Sequence, residues 1–309
     1  MMSNTITAES AYFIKLGHKG EWEEQCILHE NTIKLGFNNP LHSECLAGRW
    51  DEIYEYWINQ GKTKGKATEI TNQIRAFYES DEATLWITFF RRSMYWCFAE
   101  KEVTQLADGR RIRRVNGRWK NHDIEGFALT IENLSSKLTK VQGFQGTICS
   151  IGAFDYLVRR INHQKLPEVV RAEETLVNLL KHIEPLIQNL SWKDFELLVD
   201  LIFTHAGWQR IGTVGKEEKS IDLDLMSPVI GSRAFVQIKS ESNMTVFEDY
   251  IKQYKNMEQF NQMYFVVHTI DNSFSRWQDT PDIKLWDVVK LSKLVVDSGL
   301  TNWLIKKSS

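Results

Sequence analysis

From Ser191 to Ser240 the chain reads SWKDFELLVDLIFTHAGWQRIGTVGKEEKSIDLDLMSPVIGSRAFVQIKS. Within it the apolar period falls from that of a helix to that of a strand, and few folds accommodate the switch. Ser191 is a good N-cap with Asp194 three residues on, and Phe195, Leu198, Val199 and Ile202 form one apolar helical face. Gly207 stands where that helix should stop. Three strand-like runs follow, WQRIG, SIDLDLM and RAFVQIKS, separated by glycine, charge or proline. The order helix, strand, hairpin predicts an α/β unit with a mixed sheet flanked by helices.

Strand alternation puts Asp222 and Asp224 on one face of SIDLDLM, opposite Ile221, Leu223 and Leu225. In RAFVQIKS, Gln237 and Lys239 share a face, opposed by Val236 and Ile238. If the two runs are neighbours in one sheet, a carboxylate, an amide oxygen and an ammonium converge. Metal-assisted phosphodiester hydrolysis uses such a set: oxygens hold Mg²⁺, which keeps several waters, while a lysine orients or deprotonates the attacking water.

The Asp222 to Gln237-x-Lys239 pattern, preceded by the helix Phe195-Glu196-Leu197-Leu198-Val199 and by Ala206-Gly207-Trp208, resembles the Mrr-like branch of the PD-(D/E)xK nucleases. Gln237 matches the Gln common in that branch at the usual acidic position before x-Lys. The similarity continues through a helix around Phe247 to Gln262, the strand Met263 to His268 and KLWDVVKLSKLV, about residues 190 to 300. It implies an α/β nuclease fold, a divalent metal and DNA cleavage, with catalysis by Asp222, Gln237, Lys239 and Glu196. The implied metal donors are Asp222, Gln237 and Glu196, with Asp224 as substitute or helper. The family's Gly-x-Asp-Gly-Gly lead-in is replaced here by Glu217-Glu218-Lys219-Ser220. The eight histidines are scattered, and no Gly-rich phosphate loop is present, so neither a zinc centre nor an ATP site competes with this reading.

The whole chain, 309 residues with 42% hydrophobic and 25% charged, has room for two domains. We expect a strand-rich domain over residues 1–165, a helical connector over 166–190 with Pro185 interrupting it, and the nuclease over 191–309. The four cysteines fit no disulfide or CxxC pattern. No apolar run reaches the length of a membrane helix, and the start lacks the order of a signal peptide, so the expected location is the cytoplasm.

A net charge of −2 argues against a polyanionic partner. Locally, however, DGRRIRRVNGRWK concentrates Arg110, Arg111, Arg113 and Arg114 between the turn signals Asp108-Gly109 and Asn116-Gly117. These arginines are expected to grip the DNA backbone; the alternative is a hairpin whose charges keep an edge soluble. Six tryptophans crowd the first 120 residues, mostly in segments that read as strands. The run ITNQIRAFYESDEATLWITFFRRSMYWCFAE resembles PUA, EVE and YTH-like domains, open barrels that in several families accept a modified base in an aromatic pocket. Trp22, Trp57, Trp86 and Trp96 are candidates for its walls, core packing being the alternative for each.

Together these readings predict a modification-dependent, type IV-like restriction endonuclease acting in antiviral defence, with Mg²⁺ as cofactor. Its substrate would be modified double-stranded DNA, and it would cut as a homodimer. Two alternatives stand beside it: a non-cleaving DNA- or RNA-binding protein with a degenerate nuclease fold, and a nuclease subunit of a larger defence complex. The coexistence of Asp222, Gln237 and Lys239 in correct alternation speaks against the first.

Overall fold

The computed structural model describes residues 5–211 and 221–309, so the Glu217 to Ser220 lead-in lies outside the described residues. The chain divides into two units, Met1–Leu166 and Pro167–Ser309. No described helix is long and apolar enough to cross a membrane.

The first unit runs β1 (Ser10–Ile14), β2 (Thr32–Leu35), α1 (His42–Leu46), α2 (Trp50–Asn59), α3 (Lys64–Glu79), β3 (Thr84–Phe90), β4 (Ser93–Ala99), β5 (Thr104–Gln105), β6 (Arg111–Lys120), α4 (Ser136–Thr139), β7 (Ile148–Ser150) and α5 (Phe154–Ile161). Its curled half-barrel sheet has the order β2-β6-β4-β3-β1-β7, with β5 beside β6. The apolar run of β3 fills two cores at once. Trp86 faces Ile70, Ile74 and Phe77 of α3, while Leu85, Ile87 and Phe89 face Leu157 and Ile161 of α5. A strand covered on both faces loses its polar alternation. The β3–β4 turn places Arg91 and Arg92 both at positive φ, 48° and 61°, the conformation that matches strand twist in a two-residue hairpin.

Two expectations fail here. Trp50 and Trp57 belong to helix α2, not to strands, and the spacing Trp50, Ile53, Trp57 is helical. Asn116-Gly117 is no turn: β6 runs through it. The register against β4 slips between Phe98↔Asn116 and Trp96↔Lys120, and Gly117 sits at φ +83° in this bulge.

The arginine ribbon alternates along β6, and Arg111 and Arg113 lie on its inward face. Arg111 and Arg113 are 1% and 0% exposed, so they cannot contact a DNA backbone; Arg114 is exposed and Arg110 half-buried. Arg111 donates to Tyr78 Oη (3.1 Å), to the Phe37 carbonyl (3.0 Å) and to Asn39. Arg113 donates to the carbonyls of Glu100 (2.7 Å), Phe77 (3.1 Å), Ala99 and Asp81 (both 3.4 Å). Burial pulls its pKa down to about 10, which leaves it charged at neutral pH. Each guanidinium fork therefore ties β6 to several chain segments by satisfying carbonyls that would otherwise be buried without donors.

The second unit runs α6 (Pro167–Gln188), α7 (Trp192–His205), β8 (Gln209–Arg210), β9 (Leu223–Ser227), β10 (Ser232–Ser242), α8 (Met244–Lys255), β11 (Gln262–Ile270), β12 (Ile283–Trp286), α9 (Val288–Asp297) and α10 (Thr301–Ser308). The sheet order is β12-β11-β10-β9-β8, with β10, β11 and β12 parallel and β8 and β9 antiparallel. One face carries Leu225, Val236, Ile238 and Val266 against α6, α7, α9 and α10, and the other carries Phe235 and Phe265 against α8. Pro185 does not end α6, which continues to Gln188 and buries Ile183 and Ile187 in this core.

Arg113→Ala is expected to lower the unfolding free energy by about 3 kcal/mol, because several buried carbonyls lose their donor at once. Arg113→Lys should recover little of it, since one ammonium cannot reach all four. Arg114→Ala should change stability by no more than about 0.5 kcal/mol. Urea unfolding followed by circular dichroism measures all three, and equal effects of the two alanine variants would contradict the assignment.

Candidate active site

The site begins where strand β9 stops. Main-chain pairing of β9 with β10 extends from Ser227↔Ser232 to Leu223↔Val236. Asp222 is the next residue, and its carboxylate takes over the ladder: Oδ2 accepts the Ile238 N–H at 2.6 Å and the Gln237 Nε2 amide at 2.5 Å. Alternation ends with the strand, so Ile221 packs with the Phe235–Phe247 cluster rather than with Leu223 and Leu225.

Gln237 is 2% exposed. Its Nε2 is spent on Asp222, and its buried Oε1 has no hydrogen-bond partner among the described residues. Lys239, two residues along the same face, holds its ammonium 5.5 Å from the ring centroid of Tyr250 on α8. From α7, Glu196 completes the group. That helix is capped as expected, Ser191 Oγ accepting from the Asp194 N–H at 3.3 Å, which sets the phase that buries Phe195 and leaves Glu196 half-buried beside it.

Both carboxyls are raised above their ordinary values. For Asp222 burial is the main cause, opposed by the Ile238 N–H, the Lys239 charge and the Gln237 amide. For Glu196 burial comes first and the Asp222 charge second, opposed by Arg210, Lys239 and Lys193. The guanidinium of Arg210 on β8 also donates to the Asp222 carbonyl at 3.3 Å. Asp222, Glu196, Lys239 and Arg210 thus form one electrostatic cluster, around an amide oxygen with an unused lone pair.

Among the described residues no three His, Cys, Asp or Glu side chains converge as a metal-holding group. The available donors are two carboxylates and Gln237 Oε1, an all-oxygen set suited to a hard cation that retains several waters. The buried, unpartnered Gln237 Oε1 fits that role, because an orphaned acceptor costs free energy until something occupies it. Asp224, expected as a helper, is engaged elsewhere: Arg233 binds its two oxygens at 2.9 and 2.5 Å and lies over Phe260.

Sequence reasoning passed over Arg210, Tyr250 and His268. His268 on β11 is buried, its Nε2 without a partner among the described residues, its Nδ1 2.9 Å from Thr269 Oγ1 and its ring centroid 4.7 Å from that of Phe195. Burial lowers its pKa. Its only signal was a histidine ending an apolar strand, which means little without a second ligand nearby.

Of the four tryptophans expected to wall a base pocket, Trp57, Trp86 and Trp96 are 9%, 0% and 2% exposed and lie within the cores of the first unit. Large aromatics on covered strands and helices pack inward. Trp22 is different: it is half-buried and lines a cavity of about 770 Å³ together with Arg110.

Residues 187–295 match the family model Mrr_cat, a restriction endonuclease domain. Among solved structures, the DNA modification-dependent restriction endonuclease AspBHI is similar at 11% identity and a TM-score of 0.31, over 72% of this chain and 68% of that one. No curated protein matches. The match falls within the second unit, which therefore resembles a restriction endonuclease domain over residues 187–295.

Raised carboxyl pKa values make folding bind protons, so the stability that Asp222 and Glu196 allow is fullest below the ordinary carboxylate range. It is lost as pH rises through their shifted values. Glu196→Gln should therefore gain stability relative to the unmodified chain as pH rises through and above that range, in metal-free buffer. Urea unfolding of both proteins across a pH series tests this; a difference independent of pH would remove Glu196 from the cluster.

Proposed function

We propose that this protein is a modification-dependent restriction endonuclease, in which the first unit selects altered DNA and the Mrr-like domain hydrolyses its phosphodiester bonds with Mg²⁺. The observation that carries the reading is the Asp222 junction. One carboxylate closes the end of a strand pair, orients Gln237 by its Nε2 so that Oε1 is left over, and stands within the field of Lys239 and Glu196.

Asp222, Glu196 and Gln237 Oε1 would hold the cation, which when bound supplies positive charge against the phosphate as it gains negative charge. The chain's own groups do the rest. The Ile238 N–H fixes Asp222, so that its second oxygen is presented without reorganisation. Lys239 offers three donors on a compact charge, which position a water for in-line attack and bind a non-bridging phosphate oxygen. Its ammonium lies over the Tyr250 ring, 5.5 Å from the centroid, an attraction that favours this position of the charge. Glu196 brings a second carboxylate to the cluster from α7, so that the negative charge facing the cation comes from two separate elements. Cutting both strands requires two such centres, so a homodimer on DNA is part of the proposal, as is a role in defence against foreign DNA.

Lys239→Ala and Asp222→Ala should each lower cleavage at least about a hundredfold while leaving DNA binding largely intact. Chelation of divalent ions should abolish cleavage, and added Mg²⁺ should restore it. Gel assays on matched duplexes report all of this; cutting retained by both variants would sink the catalytic assignment.

Substrate choice is a separate test. On otherwise identical DNAs carrying plain, methylated, hydroxymethylated or glucosylated cytosine, cleavage should be confined to modified substrates. Equal cleavage of all four would keep the nuclease and remove the selection by the first unit. Binding should also weaken steeply with salt, as counterion release requires.

A further inference from the structure

Arg210 stands on β8, the two-residue edge strand of the nuclease-like sheet, and its side chain is exposed. One of its five N–H groups donates to the Asp222 carbonyl at 3.3 Å, and the others have no partner among the described residues. The contrast with Arg233 of the same sheet is sharp, because that guanidinium is committed to both oxygens of Asp224. Strand register gives the direction of Arg210. It pairs with Leu225, and paired residues of an antiparallel ladder project to one face. Leu225 packs in the core that holds Phe195 and Leu198 of α7, so Arg210 leaves the sheet on the α7 side. Lys239 leaves on the other side, its ammonium over Tyr250 of α8. Cations thus bracket Asp222 and Glu196 from both faces of the sheet.

The Arg210 charge reaches the centre without being bound to it. Among the cations that oppose the raised pKa of Glu196 it comes first, ahead of Lys239 and Lys193. Yet neither Glu196 nor Asp222 forms an ion pair with it, so its planar fork stays open to solvent. A fork of that shape matches two oxygens of one phosphate. Lys193, also exposed, is the poorer candidate: its ammonium lies over the Trp192 ring, 5.5 Å from the centroid, and a point charge has no fork. A divalent cation held by Asp222 and Glu196 would offset their charge, and so weaken the pull that draws Arg210 inward.

We propose that Arg210 is a substrate-binding residue of this centre, its guanidinium holding two non-bridging oxygens of a DNA phosphate that flanks the one attacked. The inference rests on the nuclease reading, and deepens it by naming a backbone contact outside the Asp222, Gln237 and Lys239 pattern. Lys239 serves the attacked phosphate from the α8 side of the sheet, and Arg210 fixes the strand from the α7 side. Because the same guanidinium donates to the Asp222 carbonyl, the phosphate it holds is indexed to the main chain that places the Asp222 carboxylate. A contact to phosphate carries no information about the base, so Arg210 contributes equally on plain and altered DNA.

The test uses the full chain with the plain duplex and with whichever of the plain, methylated, hydroxymethylated and glucosylated duplexes it cuts best. In chelator, fluorescence anisotropy over a salt series gives affinity and its salt slope. Arg210→Ala should weaken binding about tenfold on both duplexes, and should lower the slope of log affinity against log salt by about one. Arg210→Lys should keep the slope and recover only part of the affinity, since it keeps the charge without the fork. With Mg²⁺, Arg210→Ala should raise KM for cleavage about tenfold and leave kcat within about threefold. Lys290→Ala, an exposed charge on α9 beside the opposite edge strand β12, should change neither slope nor KM. An unchanged slope in Arg210→Ala, a loss confined to kcat, or an equal loss of slope in Lys290→Ala would overturn the assignment and leave Arg210 a support for the Asp222 main chain. If the unmodified protein cuts none of the four duplexes, the nuclease reading falls and this inference with it.

Discussion

The candidate nuclease centre depends on a carboxylate standing in for a main-chain carbonyl. Asp222 accepts the Ile238 N–H at the position where β9 no longer pairs, so the antiparallel ladder ends on a charge. Strand β10 continues for several residues beyond that point, paired among the described residues with its parallel partner β11 alone, with Lys239 opposite Val267. The sheet therefore opens beside Asp222, at Ile238 and Lys239. Burial opposes the charge on Asp222, and the hydrogen bonds from Ile238 and Gln237 with the Lys239 ammonium only partly offset it. The raised pKa that results is stored free energy, and a cation or a phosphate-bound cation would relieve it.

That centre was legible in the sequence because strand parity is rigid. With a period of two, Gln237 and Lys239 had to share a face, and the antiparallel hairpin between Asp222 and Gln237 had to bring one Asp beside them. Parity could not say which Asp. Asp222 and Asp224 are equivalent by alternation, and lateral register decides between them: Arg233 is placed where it takes both oxygens of Asp224, and the end of β9 leaves Asp222 to the Ile238 N–H. Arg210 and His268 come from other strands, and no local pattern links them to the site.

In the first unit the sequence was misleading for the opposite reason, because residue type outweighed spacing. Four arginines in RRIRR and six early tryptophans looked like a nucleic-acid surface. Yet the alternation Arg111, Arg113, Val115 is that of an inward face, and Trp50, Ile53, Trp57 that of a helix. A guanidinium can be interior when carbonyls rather than carboxylates surround it, since its five fixed donors match the open ends of several segments. The helices and loops that meet at Phe37, Asn39, Phe77, Asp81 and Glu100 are held by two side chains of one strand. That long-range convergence is invisible to any short window of sequence.

Burying Arg111 and Arg113 also changes what the formal charge of −2 means for DNA. Two of the cations in that sum are inside, Arg91 and Arg92 are paired with Glu24 and Glu132, and Arg110 with Asp108. The surface is thus more acidic than the sum. Nonspecific affinity scales with the phosphates neutralised, and what the first unit offers for that is its exposed cations, Lys62, Lys64, Lys101, Arg114, Arg118 and Lys120 among them, not the buried Arg111 and Arg113. Half of the arginine ribbon is thus structural, and any selection of DNA by the first unit has to use contacts other than Arg111 and Arg113.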